Sequence, residues 1–253
     1  MAAFDRIRSG IPEMDIALDN IRLGDNVVWR VSNLSEFKLF MEPYIKQAIE
    51  DRREIIYFRF ASHEPLLEEC NEVKRIDVPL SHRFETFTVA IHNEIEKAGR
   101  DAFYVFDCLS ELQTAWATDL MMGNFFRVTC PFLFILDTVA FFPIIRGKHS
   151  VQAINKILDT TQLFLDVYSD KKNVYVRPEK VWNRSSDTMF LPHTYNSENG
   201  EFRPILDGVK SSRFYQTLGQ AQRSAEEQYS DSWDKYFNHV KLLRENGIDI
   251  SKE

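Results

Sequence analysis

The sequence predicts an α/β protein with a mostly parallel central sheet, extended by antiparallel strands and followed by C-terminal helices. Three observations carry this expectation. Residues 27–31, 54–60, 103–106 and 139–145 are short, nearly continuous apolar runs rich in β-branched and aromatic residues, as strands covered on both faces are. Between them lie stretches of helical periodicity, such as Phe37, Phe40, Met41, Tyr44, Ile45, Ala48 and Ile49. Past Asp159 the pattern changes to short strands separated by polar turns.

Taken in order, Ser9-Gly10-Ile11-Pro12 reads as a turn before a short helix over 13–19, Pro12 suiting its first turn. Gly24-Asp25 breaks the chain before the strand at 27–31. In the helix that follows, Pro43 predicts a kink or a delayed start. The strand at 54–60 leads to a loop (61–65), a short helix (66–70) and a brief strand (75–78). An amphipathic helix over 84–98 stops at Gly99. After the strand at 103–106 a helix is expected over 111–126. The strand at 139–145 contains Pro143, which belongs near an end or a bulge, and 149–158 is helical. Strands follow at 163–168, 173–177, 180–182, 189–192 and 202–206, then helices over 214–228 and 233–246. The division is an α/β domain over 1–207 and a helical extension over 208–253.

At 253 residues, 44% hydrophobic and 27% charged, the chain suits one large domain with ample core. A net charge of −7 provides no global attraction to nucleic acid or anionic membrane, so neither is an expected partner. Cys70, Cys108 and Cys130 are odd in number and widely spaced, which fits a reducing cytosol. The start, Met1 to Arg6, lacks a signal-peptide core, and the apolar run 131–136 is too short to span a bilayer. The expectation is a soluble, cytoplasmic protein. The six histidines show no metal-ligand spacing, and no G-x-S-x-G elbow is present, so no metal is expected. Arg146-Gly147-Lys148-His149-Ser150 has the letters of a G-K-S motif but no preceding glycine-rich loop. Trp116 with the apolar run 120–126 reads as a buried helix or a sticky patch.

Arg8-Ser9-Gly10-Ile11-Pro12-Glu13-Met14-Asp15, followed by Leu23-Gly24-Asp25-Asn26-Val27-Val28, resembles the entry of KaiC-type RecA-fold ATPases. Val105-Phe106-Asp107-Cys108-Leu109-Ser110 is similar to that family's Walker B strand. The resemblance runs over residues 4–207 by pattern and order. It implies a RecA/KaiC-like three-layer fold, a phosphate loop after the first strand and a tendency to form homo-oligomers. The matching nucleotide-binding positions are Ser32, Asn33, Ser35, Lys38 and Asp107. ATP and Mg²⁺ are the implied cofactors, yet the loop does not support them. It has no glycine to let backbone N–H groups converge on phosphate, Leu39 stands at the metal-binding hydroxyl position, and Glu36 adds negative charge. Ser32, Asn33 and Ser35 are also suited to capping the next helix, and Asp107 to bonding a neighbouring loop. Ala61 and Ser62 stand where the family has catalytic acids, with His63 and Glu64 beside them. Lys180 and Arg184 match the family's interface finger, although Trp182 falls at the finger's lysine position.

The run 103–126, Trp182-Asn183-Arg184 and Met189-Phe190-Leu191-Pro192-His193 further resemble the N-terminal region of phosphoenolpyruvate synthase-like proteins. The chain contains no threonine–histidine phosphocarrier motif. The resemblance thus implies an accessory domain whose partners are phosphotransferase domains of the same or another chain. The expectation is a non-catalytic module with a regulatory, oligomerisation or scaffold role. The alternatives are a divergent ATP-binding protein or ATPase using Lys38 and Asp107, and a cleft reused for an acidic metabolite or a partner loop.

Overall fold

The computed structural model describes residues 5–68, 70–79, 83–114, 119–170 and 173–245, without the side chains of 114 and 228–245. Residues 1–4, Trp116, part of the expected 66–70 helix and the ending 246–253 lie outside the described residues.

Among them, nine strands form one sheet. They are β3 (Asn26–Val31), β4 (Ile55–Arg59), β5 (Val73–Asp77), β6 (Phe103–Phe106), β7 (Val139–Ile145), β8 (Leu163–Ser169), β9 (Val174–Val181), β10 (His193–Asn196) and β11 (Glu201–Pro204). Their order is β11-β10-β9-β8-β3-β7-β6-β4-β5, with parallel pairing from β8 to β5 and antiparallel pairing from β8 to β11. A separate ribbon pairs β1 (Arg6–Ile7) with β2 (Ile21–Arg22). This is the expected three-layer, RecA-like α/β arrangement.

Strand alternation builds two cores. Val27, Trp29 and Val31 of β3, with Tyr57, Phe103 and Phe141, face α1 (Pro12–Leu18) and α2 (Leu34–Glu50). There Trp29 stacks on Phe40 at 4.3 Å and Tyr44 on Phe141 at 3.9 Å. Val28, Phe58, Phe106 and Phe142 point to the other side, under α3 (Phe84–Ala98), α4 (Asp119–Ile135) and α5 (Val151–Thr160). The twenty phenylalanines largely serve these two layers.

Several expectations are corrected. Residues 66 and 67 form a bend and 68 is irregular rather than helical, and the Leu66 N–H donates to the Tyr57 hydroxyl at 3.0 Å. The helix expected over 111–126 is a 3₁₀ turn, Leu109–Thr114, followed by α4, which runs on through Pro131 to Ile135. The start of α2 is not delayed by Pro43, since Asn33 caps the helix ten residues earlier. Pro143 sits inside β7, opposite Trp29 of β3, rather than at an end. Val139 and Ile145 aim their N–H groups towards β6 and the turn after it, so Pro143 lacks its N–H on that side. The β6–β7 ladder already ends at Val105↔Phe141, so no ladder bond is lost. The strands expected at 173–177 and 180–182 are one strand, β9, with a register shift opposite Phe164 and Leu165. Residues 189–192 form a turn, and the strand begins at His193. The two expected C-terminal helices are one, α6 (Gly208–Glu245).

His193 is fully buried against Phe202, with neither ring nitrogen hydrogen-bonded. Burial lowers its pKa to about 4. Between pH 4 and 6.5 the unfolded chain therefore binds the extra proton, and stability falls as pH drops through that window. Burial raises Asp15 and Asp25 to about 6, which gives the opposite slope, so the His193 contribution is read as a difference between variants. Urea unfolding of His193→Phe against the parent is expected to show a stability difference that grows on acidification, to on the order of 3 kcal/mol near pH 4.

Candidate functional site

The chain leaves β3 through α2 on one face and leaves the neighbouring β7 through α5 on the other. Open α/β sheets place ligand crevices at the carboxyl ends of two such strands. Here that crevice is walled on one side by α6. A cavity of about 720 Å³ is lined by Arg30, Arg146, His149 and Ile154 with Gln222 and Ala225 of α6. A second, of about 270 Å³, lies between Ser32, Asn33, Glu36 and Ser169 and the α6 residues Thr217 and Ser224. Arg146 and Ala225 line both.

The turn after β3 is closed by its own side chains. Asn33 caps α2, its Oδ1 accepting from the Glu36 N–H at 3.2 Å. Glu36 reaches back so that Oε2 accepts from the Ser32 N–H at 2.7 Å, a variant of the capping box, while Oε1 accepts from the Ser169 hydroxyl. A carboxylate of the chain thus sits at this helix start and holds the N–H of the residue before the cap, placing negative charge where an anion would otherwise approach. Ser32 and Asn33 border the smaller cavity, Ser35 is exposed on the first turn, and Lys38 is half-buried further along α2, lining neither cavity.

Asp107 is fully buried at the end of β6. Its Oδ1 accepts from the Tyr57 hydroxyl. Its Oδ2 accepts from Arg59 Nη1 at 2.6 Å and from the N–H groups of Phe60 and Ala61 at 2.9 Å each. Burial, with the adjacent carboxylate, pushes the Tyr57 phenol far above its ordinary range. Of the two readings of Asp107, the geometry has it binding the loop after β4. His63 joins the same cluster, its Nε2 accepting from the Cys108 N–H at 3.4 Å.

Two further carboxylates complete the strand ends. Asp166 of β8 is fully buried and bonds Arg30 Nε at 2.8 Å and Arg146 Nη2 at 2.6 Å. Burial by itself would raise its carboxyl, but the two guanidinium groups outweigh that and hold it below the usual range. Arg146 also lies 4.0 Å over the Tyr168 ring and donates to the Val167 carbonyl. Asp119, at the start of α4, accepts from His149 Nδ1 at 2.8 Å and from the Ser150 N–H at 2.6 Å. His149 Nε2 accepts in turn from the Ser110 hydroxyl at 2.7 Å, whose oxygen takes the Ile145 N–H. These bonds pull Asp119 below its ordinary range against its burial. The Ser–His–Asp order is that of a nucleophile triad, yet Ser110 and His149 are buried and Ser110 lines neither cavity.

Lys180 and Arg184 both turn inward. Lys180 donates to the Leu158 carbonyl. The buried Arg184 pairs with Asp25 and donates to the carbonyls of Asn20 and Trp182 at 2.9 and 2.7 Å. Burial dominates both partners of that pair, raising Asp25 to about 6 and lowering Arg184. Among the described residues no group of three or more His, Cys, Asp and Glu side chains is placed to hold a metal ion. Nor, among them, is any helix long and apolar enough to cross a membrane.

Sequence reading missed Arg30, Asp166, Arg146, Ser110, Asp119 and His149. A signal existed for the first two, each a charged residue inside an apolar strand, and the register pairs them directly. Arg146 reaches Val167 across 21 residues, and Ser110, Asp119 and His149 are brought together across 30 or more, with no motif spacing in either case. Comparison with protein-family models and with curated proteins returns no match for this chain.

Removing one partner of a buried charged cluster leaves the rest uncompensated. Asp107→Ala, and separately Arg184→Met, are expected to lower unfolding stability by about 3–5 kcal/mol in urea titrations. Lys38→Ala is expected to change it by less than about 1 kcal/mol.

Proposed function

We propose that this chain is a non-catalytic RecA/KaiC-like module with a regulatory, scaffolding or oligomerising role, accessory to phosphotransferase domains of the phosphoenolpyruvate synthase-like kind. One observation carries the reading. Groups around the strand ends that would receive an anion or a metal are already held by carboxylates and guanidinium groups of the chain. Glu36 takes the Ser32 N–H, Asp107 takes the loop after β4, and Asp119 takes the Ser150 N–H at the start of α5. Lys38 has no place in this network, and the sequence offers no glycine loop around it. A tethered carboxylate competes with any free phosphate at a high effective concentration, so nucleotide binding is disfavoured without loss of the fold. The partner assignment rests on the sequence resemblance alone.

Calorimetric titration of the folded protein with ATP, with and without Mg²⁺, tests this directly. No binding heat and no thermal shift at millimolar ATP are expected. Metal-dependent binding abolished by Lys38→Ala would replace the proposal with a divergent ATP-binding protein.

A further inference from the structure

Helix α6 is fastened at one end and spaced away from the sheet further along. At its start Asp207 Oδ1 accepts from the N–H groups of Val209 and Lys210, both at 2.9 Å. Phe214, 1% exposed, lies edge-on to Tyr168 and Tyr175 at 5.8 and 5.7 Å, with Ile205 in the same cluster. Leu218 and Ala221 pack against the same cluster and extend the anchor by two turns, and past them Gln222, Ser224 and Ala225 wall the two cavities rather than fill a core. One close approach remains. The Ala225 backbone passes so near Gly147 that a Cβ there would lie 2.7 Å from the Ala225 carbonyl oxygen, and Gly147 has a φ of +76°. Small and polar side chains over cavities contribute little burial, and segments of that kind open locally at low cost. Past the crevice the helix continues to Glu245.

We propose that α6 is a lever that pivots about Phe214. Its cavity-backed segment rises from the strand ends while the aromatic anchor stays in place. Because one helix carries both segments, whatever fills or opens the crevice also moves the far half of α6, and a partner holding the far half sets the crevice. Coupling through a rigid element with two positions needs no contact between the two ends. The inference depends on how α6 docks, and stands whether or not the crevice accepts nucleotide.

Spin-label distance measurement on the full chain tests it. The exposed Cys70 is replaced by Ser, and labels are placed at Val89→Cys on α3 and Ser232→Cys on α6. Ala225→Trp serves as a wedge against Gly147. Position 232 is 18 residues beyond Phe214, about 27 Å of helix, so a tilt of about 10° moves it by about 5 Å. The expected result is a shift of that size, with amide exchange around Tyr168 and Tyr175 unchanged. An unchanged distance in folded Ala225→Trp would overturn the lever, as would lost protection around Tyr168 and Tyr175, which would mean that the whole helix undocks. Should Ala225→Trp fail to fold, Ser224→Trp, on the wall of the smaller cavity, is read by the same criteria.

Discussion

Asp166 is the constraint on which the upper end of this molecule depends. Its carboxylate has no exposure, and it is shared by two guanidinium groups, Arg30 on β3, the adjacent strand of the sheet, and Arg146 just past β7, the next strand along. A buried carboxylate is tolerated only with good geometry and every lone pair occupied, and the Tyr168 hydroxyl supplies a further donor. Three strands, β3 being far in sequence from β7 and β8, are thereby held with their carboxyl ends together. The turn at Ser32-Asn33, the turn at Gly147 and the end of β8 at Ser169 take their positions from that arrangement. Helix α6 then packs on the surface they form.

The same principle recurs around the crevice with different residues. Glu36, Asp107 and Asp119 each accept at least one backbone N–H and at least one side-chain donor from another part of the chain. Satisfying a strand end in this way gives rigidity without a ligand. It also occupies backbone donors at the strand ends with carboxylates of the chain itself. What stays open is the space between the strand ends and α6, which the helix walls with Thr217, Gln222, Ser224 and Ala225.

Much of the sheet was legible beforehand because strands buried on both faces are apolar throughout, and β3, β4, β6 and β7 stand out on that ground. Misreadings fall where a local signal has two meanings. Pro143 is read as a strand end, since proline removes a donor, but β6 has already ended on the side that donor would face. Leu66 to Glu68 is apolar and acidic enough to read as helix, whereas in the structure it bends and its Leu66 N–H goes to the Tyr57 hydroxyl. The polar stretch near residue 230 reads as a gap between helices, whereas α6 passes through it. In the candidate site the position of Asp107 was readable and loop bonding was one of its two readings, but its partners were not. Tyr57, Arg59 and the N–H groups of Phe60 and Ala61 converge on it only because β4 lies beside β6.

The sequence by itself determined the α/β class, the parallel core, the antiparallel extension and the missing phosphate loop, since each is written in local periodicity or in the residues of one turn. Tertiary structure alone decided which charges meet. Arg30 faces Asp166 because β3 is inserted between β7 and β8, and Ser110, Asp119 and His149 meet because a 3₁₀ turn, the start of α4 and the β7–α5 turn converge. Strand order is set by the burial of whole faces, a property of the folded sheet that no window of sequence contains.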